Sequence, residues 1–460
     1  MNETRDSEFK IIAGGDVYRS GRFDRSDILI KNDRIIQIGL DISAPGAVSI
    51  DARECLVLPG LLDCHVHFRE PGLERKEGWE TGSRGALHGG VTTVLEIQNN
   101  PPLTIDLERQ LERFEIVKKS SRVDFGLFPN LLPESAPHLA AMAPRAPGFK
   151  LFMGGSTGVG GTTDYGLLRD LFSAAAVAGR QIVVHAEDES LLRRGAAKYN
   201  STNATFHHLA RSTEAETLAI SAAIELAAAT GAALHVFHIS TGRGADLVAQ
   251  AKASNLNVSG STSPHYLLLT HEYSEKIGNL LKVNPSIKTA KDRDRLCERL
   301  SDGTIEAIGT DHAPHPLDEK MRSYAEAPSG LPTVDLVTPL LFEITKRGVP
   351  LARLVDSMSC DAARIFGILQ KGRIEPGYDA DLTIVNPRES RIVQGSALPS
   401  KSRWSPYEGF EMNGFPKTVL RRGKVAFENV SLPNSNFLNI TNGEPVILQI
   451  PEPHGDAATL

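Results

Sequence analysis

The chain has 460 residues, of which 41% are hydrophobic and 23% charged, and a formal net charge of −6. That length suits about three ordinary domains, or one large barrel with an appendage. A mildly acidic balance without a Lys/Arg-rich block speaks against a nucleic-acid binder, and no run of about 18 apolar residues exists to span a membrane.

The start, Met1 to Arg5, is polar and lacks an apolar signal core. Cys55, Cys64, Cys297 and Cys360 form no CxxC pair, which predicts reduced thiols in a cytoplasmic protein. The Asn429-Val430-Ser431 triplet is then a chance match, not a glycan site.

Residues 1–58 read as short strands, "FKIIAGGDVY", "SDILIKNDRIIQIG" and "ECLVLPG", punctuated by Gly and Asp with no helical period. The stretch from 373 onward looks alike, with "GYDADLTIV" and "KTVLRRGKVAFEN". Two β-rich ends around a different middle predict one small β domain, a β-sandwich, built from 1–58 plus 373–460. Beyond Asn429 the chain is rich in Pro and Asn, with one apolar patch, "PVILQI"; an extended tail is expected there.

Residues 59–372 alternate short apolar runs with helical segments. The runs are 61–68, 91–98, 123–130, 149–154, 181–187, 233–240, 256–263 and 305–311. Between them, 106–119, 165–179 and 213–231 carry apolar residues at three- and four-residue spacing with charges opposite. Eight strands alternating with helices predict an α/β fold of the (β/α)8 barrel kind, over an open doubly wound sheet. The link 131–148 is expected to be poor in helix.

In such a barrel, chemistry gathers where the strands end. Run one ends in His65 and His67, run two in Asn99, run five in His185, run six in His238 and run eight in Asp311, while Lys150 lies inside run four. His65 and His67, two apart, point to one face of a strand and can share a metal ion. Each histidine alone reads as easily as a satisfied core residue. Four imidazoles and a carboxylate arriving at one barrel mouth favour a metal site. Lys150, in "GFKLFMGG", would be a buried ammonium, costly unless paired. Either it snorkels or it is not an ammonium: desolvation lowers an amine pKa, and a neutral amine combines with carbon dioxide. The carbamate is a carboxylate on a long arm that can bridge two divalent ions within reach of neutral imidazoles.

"DCHVHFREPG", "GFK", "VVHAED", "VFHIST" and "GTDHAPH" together resemble the amidohydrolase superfamily, and within it the class I dihydroorotases. The resemblance covers about residues 10 to 430. It implies that His65, His67 and Asp311 hold the more buried metal ion and that His185 and His238 hold a second. The two ions, zinc by expectation, would be bridged by carboxylated Lys150. It further implies that His67, Arg69 and Asn99 meet the substrate, the latter two at its carboxylate, with Asn284, His315 and the segment Ser329–Gly330 around the ring. The chain departs from the family pattern at "IQNN" (97–100), where relatives read "MPNT", at "CDAA" (360–363) and at Ser212.

The implied reaction is reversible hydrolysis of dihydroorotate to N-carbamoyl-aspartate, a step of de novo pyrimidine biosynthesis. A metal lowers the pKa of bound water from about 15.7 toward 7. Asp311 would take a proton from water and deliver it to the leaving ring nitrogen. Arg69, two residues past His67 and so expected on the same strand face, would grip the carboxylate bidentately, unless it pairs with Glu70 or Glu74. The alternatives are a hydantoinase, dihydropyrimidinase or allantoinase with the same metals, and, from another class, a non-catalytic dihydroorotase-like scaffold. All six matched ligand positions are present, which disfavours the scaffold. Among relatives, homodimers and association with aspartate carbamoyltransferase occur; no feature of this sequence points to either.

Overall fold

A computed structural model describes residues 9–158, 160–199, 203–429, 436–437 and 442–449. The polar start and most of the tail beyond 429 lie outside the described residues. The strands in chain order are β1 (Phe9–Arg19), β2 (Arg22–Lys31), β3 (Arg34–Gly39), β4 (Val48–Asp51), β5 (Leu56–Pro59), β6 (Leu61–Val66), β7 (Val91–Ile97) and β8 (Asp124–Phe128). They continue with β9 (Phe149–Phe152), β10 (Ile182–His185), β11 (Leu234–Val236), β12 (Val258–Thr262) and β13 (Ala307–Ile308). The last are β14 (Leu382–Val385), β15 (Ser390–Ile392), β16 (Glu411–Asn413), β17 (Pro416–Arg421), β18 (Lys424–Glu428) and β19 (Asn436–Phe437).

Both ends of the chain meet in one nine-stranded sheet, ordered β19-β18-β17-β14-β5-β1-β2-β3 with β4 on β1. The join is the antiparallel pair β5–β14, with Val57 opposite Ile384. Ile12, Val17, Ile28, Ile30, Val57, Leu382, Ile384 and Leu420 form its apolar core.

Strands β6 to β13 are the eight parallel strands of a (β/α)8 barrel. β6, β7 and β8 are buried along their whole length. That is why they read as continuous apolar runs: a parallel strand is covered on both faces. Single parallel bridges, Asn130 with Lys150 and Val66 with His312, join the three-stranded and five-stranded arcs. Helices Leu107–Ser120, Tyr165–Val177 and Thr213–Thr230 lie where the spacing puts them. Asp106, Asp164 and Ser212 cap their first turns with side-chain oxygens. The link after β8 holds only the short turns Ala136–His138, Leu139–Met142 and Ala143–Arg145, as its composition suggests.

The apolar patch of the tail is extended, but its contacts are with the barrel. Phe125 N donates to Glu444 O at 3.0 Å, Val446 N to Phe125 O at 2.9 Å, and Leu369 N to Ile447 O at 2.9 Å. Val446 and Leu448 pack against Leu62, Leu95, Phe128 and Phe366. This stretch, expected with the β domain, instead runs along the barrel, held by these backbone bonds and by the half-buried Val446 and Leu448, while Ile447 stays 53% exposed.

Asp124, Asp379 and Asp381 converge within metal-binding distance of one another, but a cation of the chain already sits among them. Lys371 Nζ lies 2.7, 2.9 and 2.6 Å from their carboxylates, and Arg421 and Arg422 reach Asp124 at 2.5 and 2.8 Å. This buried ion cluster ties the first residue of β8 to the returning C-terminal strands. Cys55, Cys64, Cys297 and Cys360 are all free thiols. No helix among the described residues is long and apolar enough to cross a membrane.

Candidate active site

The barrel mouth brings together His65, His67, Lys150, His185, His238 and Asp311, with Arg69, Asn99, Asn284, Ser329 and Gly330 around the same cavity. His65 lies at the end of β6 and His67 one residue beyond it, and both rings face the cavity. Their Nε2 atoms stand 3.2 Å apart, and Asp311 Oδ1 is 3.4 Å from the first and 3.3 Å from the second. Gly309 makes this approach possible: a Cβ there would lie 2.8 Å from that of His65.

Hydrogen-bond partners fix which nitrogens are free. His67 Nδ1 donates to Ile97 O at 2.8 Å, so its Nε2 presents a lone pair to the site. His185 Nε2 donates to Glu187 Oε2 at 2.9 Å, so its Nδ1 presents the lone pair, 3.1 Å from His238 Nε2. The His65 and His238 rings adjoin, with centroids 5.2 Å apart. His65 Nδ1, His238 Nδ1 and Lys150 Nζ are buried without a hydrogen-bond partner. Burial pushes all four imidazoles below the ordinary histidine range, and Lys150 adds to this. They are neutral at neutral pH, with lone pairs available to a metal ion.

Lys150 is 1% exposed. Its ammonium would lie 4.7 Å from the ring centres of both Phe152 and Phe237. Burial lowers its pKa to about 7, against the pull of Asp311. Lone pairs and a carboxylate that converge on one point repel one another unless a cation stands between them. The neutral imidazoles, the carboxylate of Asp311 and the unpartnered amine therefore fit a site for divalent metal.

Arg69 does not follow the strand alternation expected of it. β6 ends at Val66, and Arg69 reaches the cavity from a left-handed backbone conformation, φ 66°. It is 3% exposed, and burial lowers its pKa to about 10. Its Nη1 donates to Asn99 Oδ1 at 2.5 Å. Glu70 and Glu74, the other expected partners, accept instead from Trp79 N and Gly72 N, both at 2.8 Å. Asn99 Nδ2 donates to Thr157 O at 3.2 Å. In the departing "IQNN" segment, Gln98 and Asn100 donate to Pro71 O at 3.1 and 2.9 Å, turning away from the cavity.

Asn284 lines the cavity and its Oδ1 accepts from His207 Nε2 at 3.1 Å. His315 stands one layer back, fully buried, its Nε2 donating to Ser329 O at 3.1 Å. Gly330, at φ 148°, is required where it lies, because a Cβ would come within 2.3 Å of Ala313 O.

Several supporting residues are not evident from strand ends. Glu187 is two residues past His185, a spacing that would have flagged it. Lys76 and Glu319 sit behind His315. Arg211 and Glu216 come from a helix start and from a helix face. Glu216 could have been found as the charge that falls on the buried Ala219, Ile220 and Ala223 side of its helix. His235, inside β11, is a satisfied core histidine bonded to Ser259 and Ser261 at 2.8 and 3.0 Å.

Residues 56–426 match the Amidohydrolase family. The chain is 36% identical over 407 residues to a dihydroorotase of Halobacterium salinarum, covering 87% of this chain and 93% of that protein. It is 35% identical over 444 residues to an allantoinase of Rubrobacter xylanophilus, covering 93% and 97%. Its structure superposes on the L-hydantoinase (dihydropyrimidinase) of Arthrobacter aurescens with a TM-score of 0.89 and 30% identity, covering 95% and 100% of the two chains.

Proposed function

This chain belongs to the amidohydrolase family and is a cyclic amidohydrolase, and from that premise we propose that its substrate is dihydroorotate, opened reversibly to N-carbamoyl-aspartate. One observation carries the choice. Arg69 is a buried cation on the cavity wall with no carboxylate within 4.0 Å among the described residues, its hydrogen-bond acceptor being the neutral amide of Asn99. Asp311, Glu96, Glu319 and Glu77 attract it only from beyond ion-pair contact, and a buried guanidinium without a contacting anion is costly. A carboxylate on the substrate compensates it; allantoin, hydantoin and dihydrouracil bring none.

His65, His67 and Asp311 would hold one divalent ion, zinc in this reading, and His185 and His238 a second, with Lys150 as its carbamate completing the donor set. When bound, the pair supplies a water acidic enough to lose a proton near neutral pH and an electrophile for the amide carbonyl. Asp311 takes that proton on a carboxylate oxygen. It then delivers it to the ring nitrogen as the carbon–nitrogen bond breaks, so one group serves as base and then acid. Arg69 and Asn99 hold the substrate carboxylate, and the backbone of Ser329 and Gly330 lies against the ring.

The test is a side-by-side assay of dihydroorotate, allantoin, hydantoin and dihydrouracil on protein supplied with zinc and bicarbonate. Dihydroorotate is expected to lead in kcat/KM by about 10⁴, the discrimination available to a site that must satisfy a buried polar group. Faster turnover of a neutral ring would overturn the assignment.

A further inference from the structure

His185 and His238 rest on two buried carboxylates, and both carboxylates depend on one short segment of the chain. Glu187 accepts from His185 Nε2 at 2.9 Å. On its other side it accepts from Arg211, whose Nε lies 3.1 and 3.0 Å from the two carboxylate oxygens and whose Nη2 also reaches it. Glu187 is fully buried, so the Arg211 guanidinium compensates its charge. Five residues on, Glu216 accepts four donors from the stretch after His238. They are Ser240 N at 3.2 Å, Thr241 N at 3.0 Å, Thr241 Oγ1 at 2.6 Å and Ser240 Oγ.

The backbone needs that hold. His238 itself is in the left-handed region, φ 39°, which a residue with a Cβ adopts only where its surroundings impose it. Arg211 and Glu216 flank Ser212, the cap of helix Thr213–Thr230. Arg211 O is in turn held by Ser286 Oγ at 2.9 Å and Lys288 Nζ at 2.6 Å. The head of one helix thus determines the ring nitrogen that His185 offers and the backbone that carries His238.

We infer that the segment Arg211–Glu216 is a positioning element for the metal position of His185 and His238, acting through Glu187 on the first and through Ser240 and Thr241 on the second. The inference rests on the two-metal reading above. It goes beyond that reading by assigning separate support to one of the two positions: none of these bonds reaches His65, His67 or Asp311. Arg211, Glu187 and Glu216 are positioning residues and touch no reacting atom. Partners that orient a ligating histidine typically contribute about ten- to a hundredfold to metal affinity.

The experiment titrates zinc chloride into chelator-stripped full-length protein and measures bound zinc after desalting, for wild type, Arg211→Met, Arg211→Lys, Glu187→Gln and Glu216→Gln, with circular dichroism melts on each. Wild type is expected to bind two ions. Arg211→Met and Glu187→Gln are expected to keep one at wild-type affinity and to bind the other about ten- to a hundredfold more weakly. Arg211→Lys, which keeps the charge without the fork, should fall between. Cobalt substitution supplies a second readout that a general loss of stability would not mimic: the visible absorption of only one of two ions should change. If a variant fails to fold, the remaining three decide. Folded variants that bind both ions as wild type does would overturn the inference. Equal weakening of both ions would also overturn it. Wild type binding no zinc would overturn the metal reading itself, and the inference with it.

Discussion

Lys76 Nζ donates to His315 Nδ1 at 2.9 Å, and this bond decides which nitrogen of His315 carries the hydrogen. With Nδ1 accepting, Nε2 is the donor, and it holds Ser329 O at 3.1 Å. Arg69 Nη2 lies 3.5 Å from the same Nε2, donor facing donor. The pair therefore presents N–H groups toward one region and offers it no acceptor. Glu319, 2.9 Å from Lys76, compensates the ammonium from behind.

Lys76→Met should release His315 to the other tautomer and loosen the Ser329 carbonyl. A hydrogen bond involving a charged group is worth about 1.5–3 kcal/mol, so KM for dihydroorotate should rise about tenfold or more. kcat should change little, because Lys76 is remote from the groups that move protons. Steady-state kinetics of the zinc-supplied variant check this; a fall in kcat at unchanged KM would refute the role.

Arg69→Met should erase the preference for a carboxylate-bearing ring. The expected ratio of kcat/KM for dihydroorotate over dihydrouracil drops from about 10⁴ to within about tenfold of unity. Zinc content should stay at the wild-type level, since Arg69 makes no hydrogen bond to His65, His67, His185 or His238. Kinetics on both substrates with metal analysis of the same preparation distinguish lost recognition from lost metal.

Lys150 should take up carbon dioxide only as a free amine. Burial lowers its pKa to about 7, so the reactive fraction grows as pH rises through that value and levels off above it. In metal-stripped protein at fixed dissolved carbon dioxide, a ¹³C-labelled carbamate signal should follow this curve and be missing in Lys150→Met. A signal that rose only toward the ordinary lysine range, about pH 10, would show that the pocket does not lower this amine.

The histidines and the aspartate among the proposed metal ligands were legible because each lies at or beside a strand end of an alternating β/α pattern, and strand ends converge in a closed barrel; Lys150 was legible as a charge inside an apolar strand. The small sheet was legible because both end segments are short apolar runs punctuated by Gly and Asp with no helical period. What was not legible came through loops and helices. Arg69 arrives by a left-handed turn instead of strand alternation, so its spacing from His67 was right for the wrong geometry. Lys76 follows a Gly-containing loop, and its approach to His315 depends on how "EPGLERKEG" folds back. Arg211 precedes a helix start whose pattern suggests only a cap, and Glu216 shows in the pattern only as a charge on the buried side of that helix. The contacts of the tail near 446 were not legible because they are made largely by backbone hydrogen bonds to Phe125 and Leu369, which an isolated apolar patch does not specify.

Lys371→Met should destabilise the protein through the joint between barrel and sheet. Lys371 is 5% exposed and lies within 2.9 Å of Asp124, Asp379 and Asp381. Removing one partner of a buried ionic cluster strands the others, at about 3–5 kcal/mol. The pH dependence follows from the directions of the shifts. Burial alone would lower the lysine, but Asp124, Asp381 and Asp379 outweigh it and raise its pKa above the usual range. A raised lysine contributes stability that is fully present below about pH 10.4 and is lost only as pH climbs through the folded value. Burial alone would likewise raise Asp124, but Lys371, Arg421 and Arg422 hold it well below the carboxylate range. Its contribution is present above about pH 3.9 and is lost as pH falls through the lower folded value. Asp381 is the exception: burial holds it above the usual range even beside Lys371, so it is the first of the cluster to take a proton. The gap in urea midpoint between wild type and Lys371→Met should therefore persist up to about pH 10 and narrow on the acid side as Asp381 and then Asp124 bind protons. A gap that closed between pH 6 and 9 would show that the ammonium is not held by these carboxylates.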